Sequence, residues 1–231
     1  MAGTFTVQQN LELLGRYRYT EIQLMELMGS WAYTMVDPEI KIGFGRHMFQ
    51  DSVHADLIGK RIPELKGRSQ HFHSIPPSDE FVKLLEKIWK EADELLRMAG
   101  LYRVLKPELV SVYRRHIDRL ELPADEPTGY ILRLIADEEQ DHIGWAEKVI
   151  ERLLAATKRN DEVVAWQKNL SRELQEAGGI WADGKKQGTH VFKKTHPYSK
   201  LPARDGRWNI MQNPSEFKEK DWSFETNEGK L

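Results

Sequence analysis

Two of the eight histidines follow an acidic residue at the same short distance along the chain. The motifs are Asp51-x-x-His54 and Glu139-x-x-His142. Side chains three residues apart lie on the same face of an α-helix, so a carboxylate and an imidazole with this spacing can bind one metal ion. One such pair alone would be weak support for a site, because a buried histidine often has an acidic helical neighbour.

The spacing of two further acids strengthens this interpretation. Glu21 precedes Asp51 by 30 residues, and Glu108 precedes Glu139 by 31. The chain therefore contains the same helix pair twice, with a glutamate on the first helix and an acid and a histidine on the second. An internal repeat of this kind predicts a bundle with a pseudo-two-fold axis, which brings both sets of ligands together at its centre.

The elements that must position these residues are helices. Hydrophobic residues recur with helical period in five segments: 8–36, 38–62, 79–99, 105–120 and 126–157. Asn160 is expected to cap a shorter helix that ends at Gly178 and Gly179. From about residue 180 the periodicity is lost, and we expect an irregular arm whose aromatic residues pack on the bundle or on a neighbouring subunit.

Five of the candidate ligands lie on stripes that are otherwise apolar: Glu21, Asp51, His54, Glu139 and His142. An unpaired buried carboxylate costs several kcal/mol, so buried acids are normally neutralised by partners or by metal ions. Two divalent cations would cancel the charge of the four carboxylates that the repeat brings together. The alternative is a polar core in which glutamates hydrogen-bond to histidines and form salt bridges with arginines.

The duplicated pattern resembles the ferritin-like di-metal carboxylate superfamily, whose members place a Glu on two helices and Glu-x-x-His on two others. The likeness covers about residues 8–157, and the stretch from Glu21 to Leu65 also resembles a family related to the tRNA-hydroxylating monooxygenases. The resemblance implies an all-α, ferritin-like four-helix bundle, with an extra helix at 79–99. We expect this bundle over residues 1–157, and a C-terminal helix plus the irregular arm over 158–231.

Carried over to this chain, the resemblance implies six metal ligands: Glu21, Asp51, His54, Glu108, Glu139 and His142. The two outer glutamates would each bind one of two iron ions, or one ion of a manganese–iron pair. The two central acids would bridge the ions, and each histidine would donate one ring nitrogen.

Two of these positions depart from the family pattern. Asp51 is one methylene shorter than the usual glutamate, which would lengthen the bridge or weaken the second ion. Glu108 follows Pro107 near the start of a helix, where a ligand is less securely placed. Glu138 competes with Glu139, but the three-residue spacing to His142 favours Glu139.

Other residues near the motifs have two interpretations each. His47 shares a helix face with His54 and is either a supporting ligand or a core histidine. Tyr17 and Trp145 either line a substrate pocket or carry a radical, or else they only pack in the core. His71 and His73 form an His-x-His pair that can bind metal but lies in a polar loop.

Composition narrows the chemistry and the location. The chain has no cysteine, so iron–sulfur clusters and thiolate zinc sites are excluded, and any metal must be held by His, Asp and Glu. The net charge of −2 gives no overall attraction to nucleic acid or to anionic membranes. Neither a signal peptide nor a membrane span is predicted, so we expect a cytoplasmic protein. The basic stretch 185–200 is the one place that leaves room for RNA.

The function expected from the motif and the resemblance is that of a non-haem di-metal, di-iron oxidase or oxygenase. Its partners would be O2, an electron donor and a small organic substrate. One alternative is a ferritin-like ferroxidase that stores iron. Another is a helical binding protein that a metal ion stabilises without catalysis. Bundles of this type often pair through their helix faces, so we expect a homodimer.

Overall fold

The computed structural model describes residues 5–67, 73–121 and 123–190, and over these residues the chain is helical and contains no strand. The elements in chain order are α1 Val7–Ala32, α2 Pro38–Glu64, α3 Asp79–Trp89, α4 Glu94–Gly100, a π-helical segment Leu101–Leu105, α5 Lys106–Ile117, α6 Glu126–Thr157 and α7 Asn160–Glu176. Helix α1 packs along α2, α5 packs along α6, and α2 faces α6. The buried core includes residues of these four helices and also of α3, α4, the π-helical segment and α7.

Local sequence determines where the first two long helices begin. Thr6 forms a capping box with Gln9 at the start of α1. At the start of α2 the Asp37 side chain accepts a hydrogen bond from the Glu39 N–H, with Pro38 in the first helical position. The predicted start of the second helix at residue 38 is therefore confirmed.

The middle of the chain differs from the prediction. The segment predicted as one helix at 79–99 is two helices, separated by residues 90–93. Gly100 does not end a helix, because α4 continues through the π-helical segment into α5. Pro107 has no N–H for the Arg103 carbonyl, and the chain widens just before it, where the Lys106 N–H donates to the Leu101 carbonyl.

A side chain of α6 packs directly on Gly43 of α2. The ring of Trp145 lies on the glycine, and a Cβ at this position would overlap it. A Cβ at Gly45, by contrast, would meet no atom. Of these two glycines, Gly43 is therefore the one that admits a side chain of the neighbouring helix.

The C-terminal segment packs on the helical core as far as it is described. Trp181 is buried, and its Nε1–H donates a 2.7 Å hydrogen bond to the Tyr17 hydroxyl. Further along, the N–H groups of Thr189 and His190 both donate to Asp79. His71, and the part of the arm from residue 191 onward, lie outside the described residues.

Within the described ranges, none of the helices combines the length and the apolar character needed to cross a membrane.

Candidate metal centre

Four acidic and histidine side chains from three helices meet in the interior. Glu21 comes from α1, Asp51 and His54 come from α2, and Glu139 comes from α6; all four are buried. One donor atom of each lies within 4.8 Å of the others. Each residue belongs to the apolar stripe of its helix, so packing the stripes together also brings the donors together. This group can bind a metal ion.

One ring nitrogen of His54 has a hydrogen-bond partner and the other does not. Its Nε2–H donates a 2.8 Å hydrogen bond to Glu138. A metal-ligating histidine commonly donates its other ring N–H to a carboxylate in this way. Its Nδ1 lies 3.4 Å from Glu21 Oε1 and 3.6 Å from Glu139 Oε1, beyond an ordinary N–H···O hydrogen bond. Both His54 Nδ1 and Glu21 Oε2 are buried, and neither has a hydrogen-bond partner among the residues that the structure describes. A cation between these donors fits the arrangement, because a buried polar atom without a partner costs about 1–3 kcal/mol.

Tyr113 of α5 supports Glu21 from the other side. Its hydroxyl donates a 2.6 Å hydrogen bond to Glu21 Oε1, and both side chains are fully buried. The bond holds the carboxylate in one orientation, with Oε2 left free. The sequence analysis did not identify this tyrosine.

A buried lysine lies on the opposite side of the cluster. The Lys106 ammonium is 3.0 Å from Asp51 Oδ1, 2.7 Å from Glu139 Oε2 and 3.2 Å from His142 Nδ1. Its exposed fraction is 0%. Lys106 was also missed in the sequence, and it places a permanent positive charge among the predicted ligands.

The two acid–histidine motifs are arranged with approximate two-fold symmetry. His54 on α2 donates its Nε2–H to Glu138 on α6, and His142 on α6 donates its Nε2–H to Gln50 on α2, at 3.0 Å. Glu138 and Gln50 each directly precede the acid of their own motif. The predicted repeat therefore extends one residue further than the motif used to find it, and Glu138 supports His54 instead of replacing Glu139.

The charges in the cluster depend strongly on one another. Burial lowers the pKa of His54, but Glu21 and Glu139 outweigh this and raise it to about 11. Burial also opposes the charge on Lys106, yet the neighbouring carboxylates raise its pKa above the ordinary value.

The two acids that share the ammonium respond differently. Burial raises the pKa of Asp51 well above its usual range, against the effect of Lys106. For Glu139, burial is outweighed by Lys106 and the two histidines, so its pKa lies well below the usual range. Glu139 makes the shorter contacts to the ammonium and keeps its charge more strongly.

Glu108, the sixth predicted ligand, lies outside the cluster. Its carboxylate accepts a 3.3 Å hydrogen bond from the Ile180 N–H and lies against Gly179, where it leaves no room for a side chain. Lys106, two residues earlier, points inward in its place. Two residues on a helix differ in direction by about 200°, so both cannot face the centre.

The other residues considered from the sequence have structural partners. His47 Nδ1 and the Tyr102 hydroxyl share a 2.6 Å hydrogen bond. The His47 ring stacks on that of His142, with ring centroids 3.8 Å apart. Trp145 packs edge-on against His47. Tyr17 lies among Tyr113, Trp181 and His116, away from the donors that face the cluster centre.

Comparison with models of protein families, with curated proteins and with solved structures gives no match for this chain. The functional interpretation therefore rests on the geometry of the buried cluster.

Proposed function

We propose that this chain is an O2-dependent non-haem metal enzyme, an oxidase or oxygenase, whose helical core is a ferritin-like four-helix bundle that holds iron. The observation that carries the proposal is the buried group of Glu21, Asp51, His54 and Glu139, with two donor atoms that lack any other partner. Carboxylate and imidazole donors without thiolates suit iron and manganese.

Iron held here would supply the electrons with which O2 is reduced. The protein's own contribution is to orient the donors and to exclude water. Tyr113 fixes Glu21, and Glu138 fixes His54, so each donor faces the centre before an ion arrives. The full burial of the four donors keeps bulk water out.

Glu138 links the cluster to the surface. Its side chain is 36% exposed while it accepts the hydrogen bond from His54. Phe49 and Val53 on α2, and Leu134 one turn before Glu138 on α6, are exposed apolar side chains on the same two helices. This side of the molecule is where we place the approach of a small organic substrate. An electron donor and a homodimer remain parts of the proposal.

The first test is to load chelator-treated protein with ferrous iron without oxygen, and then to follow iron content and O2 consumption with a reductant. We expect iron to be retained and O2 to be consumed. His54→Ala should abolish both, because it removes the one imidazole nitrogen that faces the free donors. His190→Ala is the matched control, since His190 pairs with Glu86 outside the cluster.

Two outcomes would contradict the proposal. Full iron occupancy in the His54→Ala variant would show that His54 is not a metal ligand. No iron in the wild-type protein would mean that Lys106 and a protonated His54 alone neutralise the acids, as in a non-catalytic helical protein. Loading with excess ferrous iron distinguishes an oxygenase from the storage alternative. A storage shell would mineralise many ions per subunit, whereas an oxygenase would not.

A further inference from the structure

We propose that the Lys106 ammonium occupies the place of a second metal ion, so that the centre binds one ion where the duplicated motif predicts two. This inference rests on the proposed metal site and adds the number of ions and the residue that limits it.

The approximate symmetry of the centre locates the ammonium. In one half, His54 Nδ1 faces Glu21 and Glu139 and has no hydrogen-bond partner. In the other half, His142 Nδ1 faces Asp51 and Glu139 at 3.7 Å and 3.6 Å. Here the space is not free, because Lys106 Nζ lies 3.2 Å from His142 Nδ1.

The contacts of Lys106 are those of a cation surrounded by ligands. Its Nζ lies between 2.7 and 3.2 Å from both oxygens of Asp51, both oxygens of Glu139 and His142 Nδ1. An ammonium has only three N–H groups for these five acceptors. The acceptors therefore converge on the charge, as they would on an ion.

The charges of the cluster also balance when one divalent ion is bound. Glu21, Asp51 and Glu139 are three buried carboxylates, and in the described part of the chain Lys106 is the one ammonium paired with any of them, through Asp51 and Glu139. One divalent cation beside a neutral His54 would bring the sum to zero. A second divalent ion would leave the fully buried cluster with excess positive charge, which is costly in a low-dielectric interior.

The test is a Mn2+ titration of the chelator-treated full-length protein, with bound metal measured by elemental analysis and the Mn2+ observed by electron paramagnetic resonance. Wild-type protein should bind about one ion per chain and show the resolved hyperfine pattern of an isolated ion. Lys106→Glu replaces the ammonium by a carboxylate. It should bind about two ions, whose spins broaden or abolish that pattern because ions in two-metal sites are about 3.5–4 Å apart.

A second variant covers the case in which Lys106→Glu does not fold. Lys106→Met keeps most of the length of the side chain and removes the ammonium. It should bind about two Mn2+ ions per chain in the same titration with elemental analysis, whereas wild type binds about one. Lys87→Met is the control, because it removes a lysine from the ion pair with Glu173, outside the cluster, and should keep the wild-type stoichiometry.

The outcomes separate this inference from the proposed function. Two ions in the wild-type protein would overturn the role of Lys106 and leave the metal site intact. One ion in wild type and still one in both folded Lys106 variants would also overturn it, because Lys106 would then not be what limits the site. No ion in wild type would overturn the metal site itself, and this inference with it.

Discussion

At the scale of single residues, the centre depends on side chains that do not face an ion. Glu21 is held by the hydroxyl of Tyr113, and His54 is held by Glu138. Each of these bonds uses one polar atom of a candidate ligand, and the other atom has no hydrogen-bond partner among the described residues. Such outer hydrogen bonds commonly change metal affinity 10- to 100-fold, because they fix the orientation of the ligand in advance.

Replacing Tyr113 by Phe should weaken metal binding about tenfold, because Glu21 loses the hydrogen bond that orients it. The measurement is the dissociation constant for Mn2+ from the same titration. Tyr102→Phe is the control, since Tyr102 is equally buried but bonds to His47 and Met28. Equal affinity in the two variants would show that the Tyr113–Glu21 bond has no part in holding the ion.

Lys106 and Glu108 show where prediction from the sequence succeeds and where it fails. Glu108 was chosen because it lies 31 residues before Glu139, close to the spacing of the first repeat. The stripe that is buried on α5 instead contains Lys106, Leu109, Tyr113 and His116. Helical periodicity within the segment was thus available and more reliable than the spacing between segments, which depends on the length of the intervening loop.

At the scale of elements, the helix predicted at 105–120 is present as α5, but its continuous path from α4 through the π-helical segment was not predicted. A sequence with Gly100 followed by Pro107 resembles the end of one helix and the start of another. The structure instead keeps one helical path and absorbs the proline by widening a turn over Leu101–Leu105. That choice depends on packing against α6 and α7, which local sequence does not encode. The paired motifs on α2 and α6 were predictable because they lie inside long, regular helices.

Gly43 and Gly45, both in α2, give opposite predictions for the same substitution. Gly43→Ala should destabilise the protein by about 1–3 kcal/mol, because the new methyl group overlaps the ring of Trp145. Gly45→Ala should stabilise it by about 1 kcal/mol, because alanine favours the helix and meets no neighbour. Urea denaturation followed by circular dichroism measures both changes.

The pair of variants serves as its own control, since both add one methyl group to the same helix. If the Gly43→Ala variant were as stable as the Gly45→Ala variant, Trp145 would not pack closely on α2 at Gly43.

At the scale of the whole molecule, one polar network ties the C-terminal segment to the helical core. Trp181 donates to the Tyr17 hydroxyl, which lies 3.1 Å from His116 Nδ1. His116 Nε2–H donates in turn to Asn10, at 2.7 Å. The network spans α1, α5 and the segment after α7, so its buried groups are all paired only when these three parts have come together.

Burial of His116 makes the stability of the fold sensitive to acid. Burial lowers its pKa from the ordinary 6.5 to about 3. Between these values the unfolded chain takes up a proton that the folded chain does not. The free energy of unfolding therefore falls as pH falls through this range, by up to about 1.4 kcal/mol per pH unit. Above the ordinary pKa the contribution is fully present.

His116→Gln keeps a donor for Asn10 but cannot titrate, so its free energy of unfolding should depend less on pH than that of wild type between about pH 6.5 and 4. Urea denaturation at a series of pH values measures the difference. A His116→Gln curve that ran parallel to wild type would refute the assignment of this acid sensitivity to His116.

The buried ammonium of Lys106 has a consequence for the order in which the protein matures. Because a built-in cation already offsets part of the carboxylate charge, the helices can assemble before any metal is encountered. On the proposed function, an ion would then join a scaffold that is already folded, and would not be the nucleus around which that scaffold forms. The supply of metal, and not folding, would then decide when the protein becomes active.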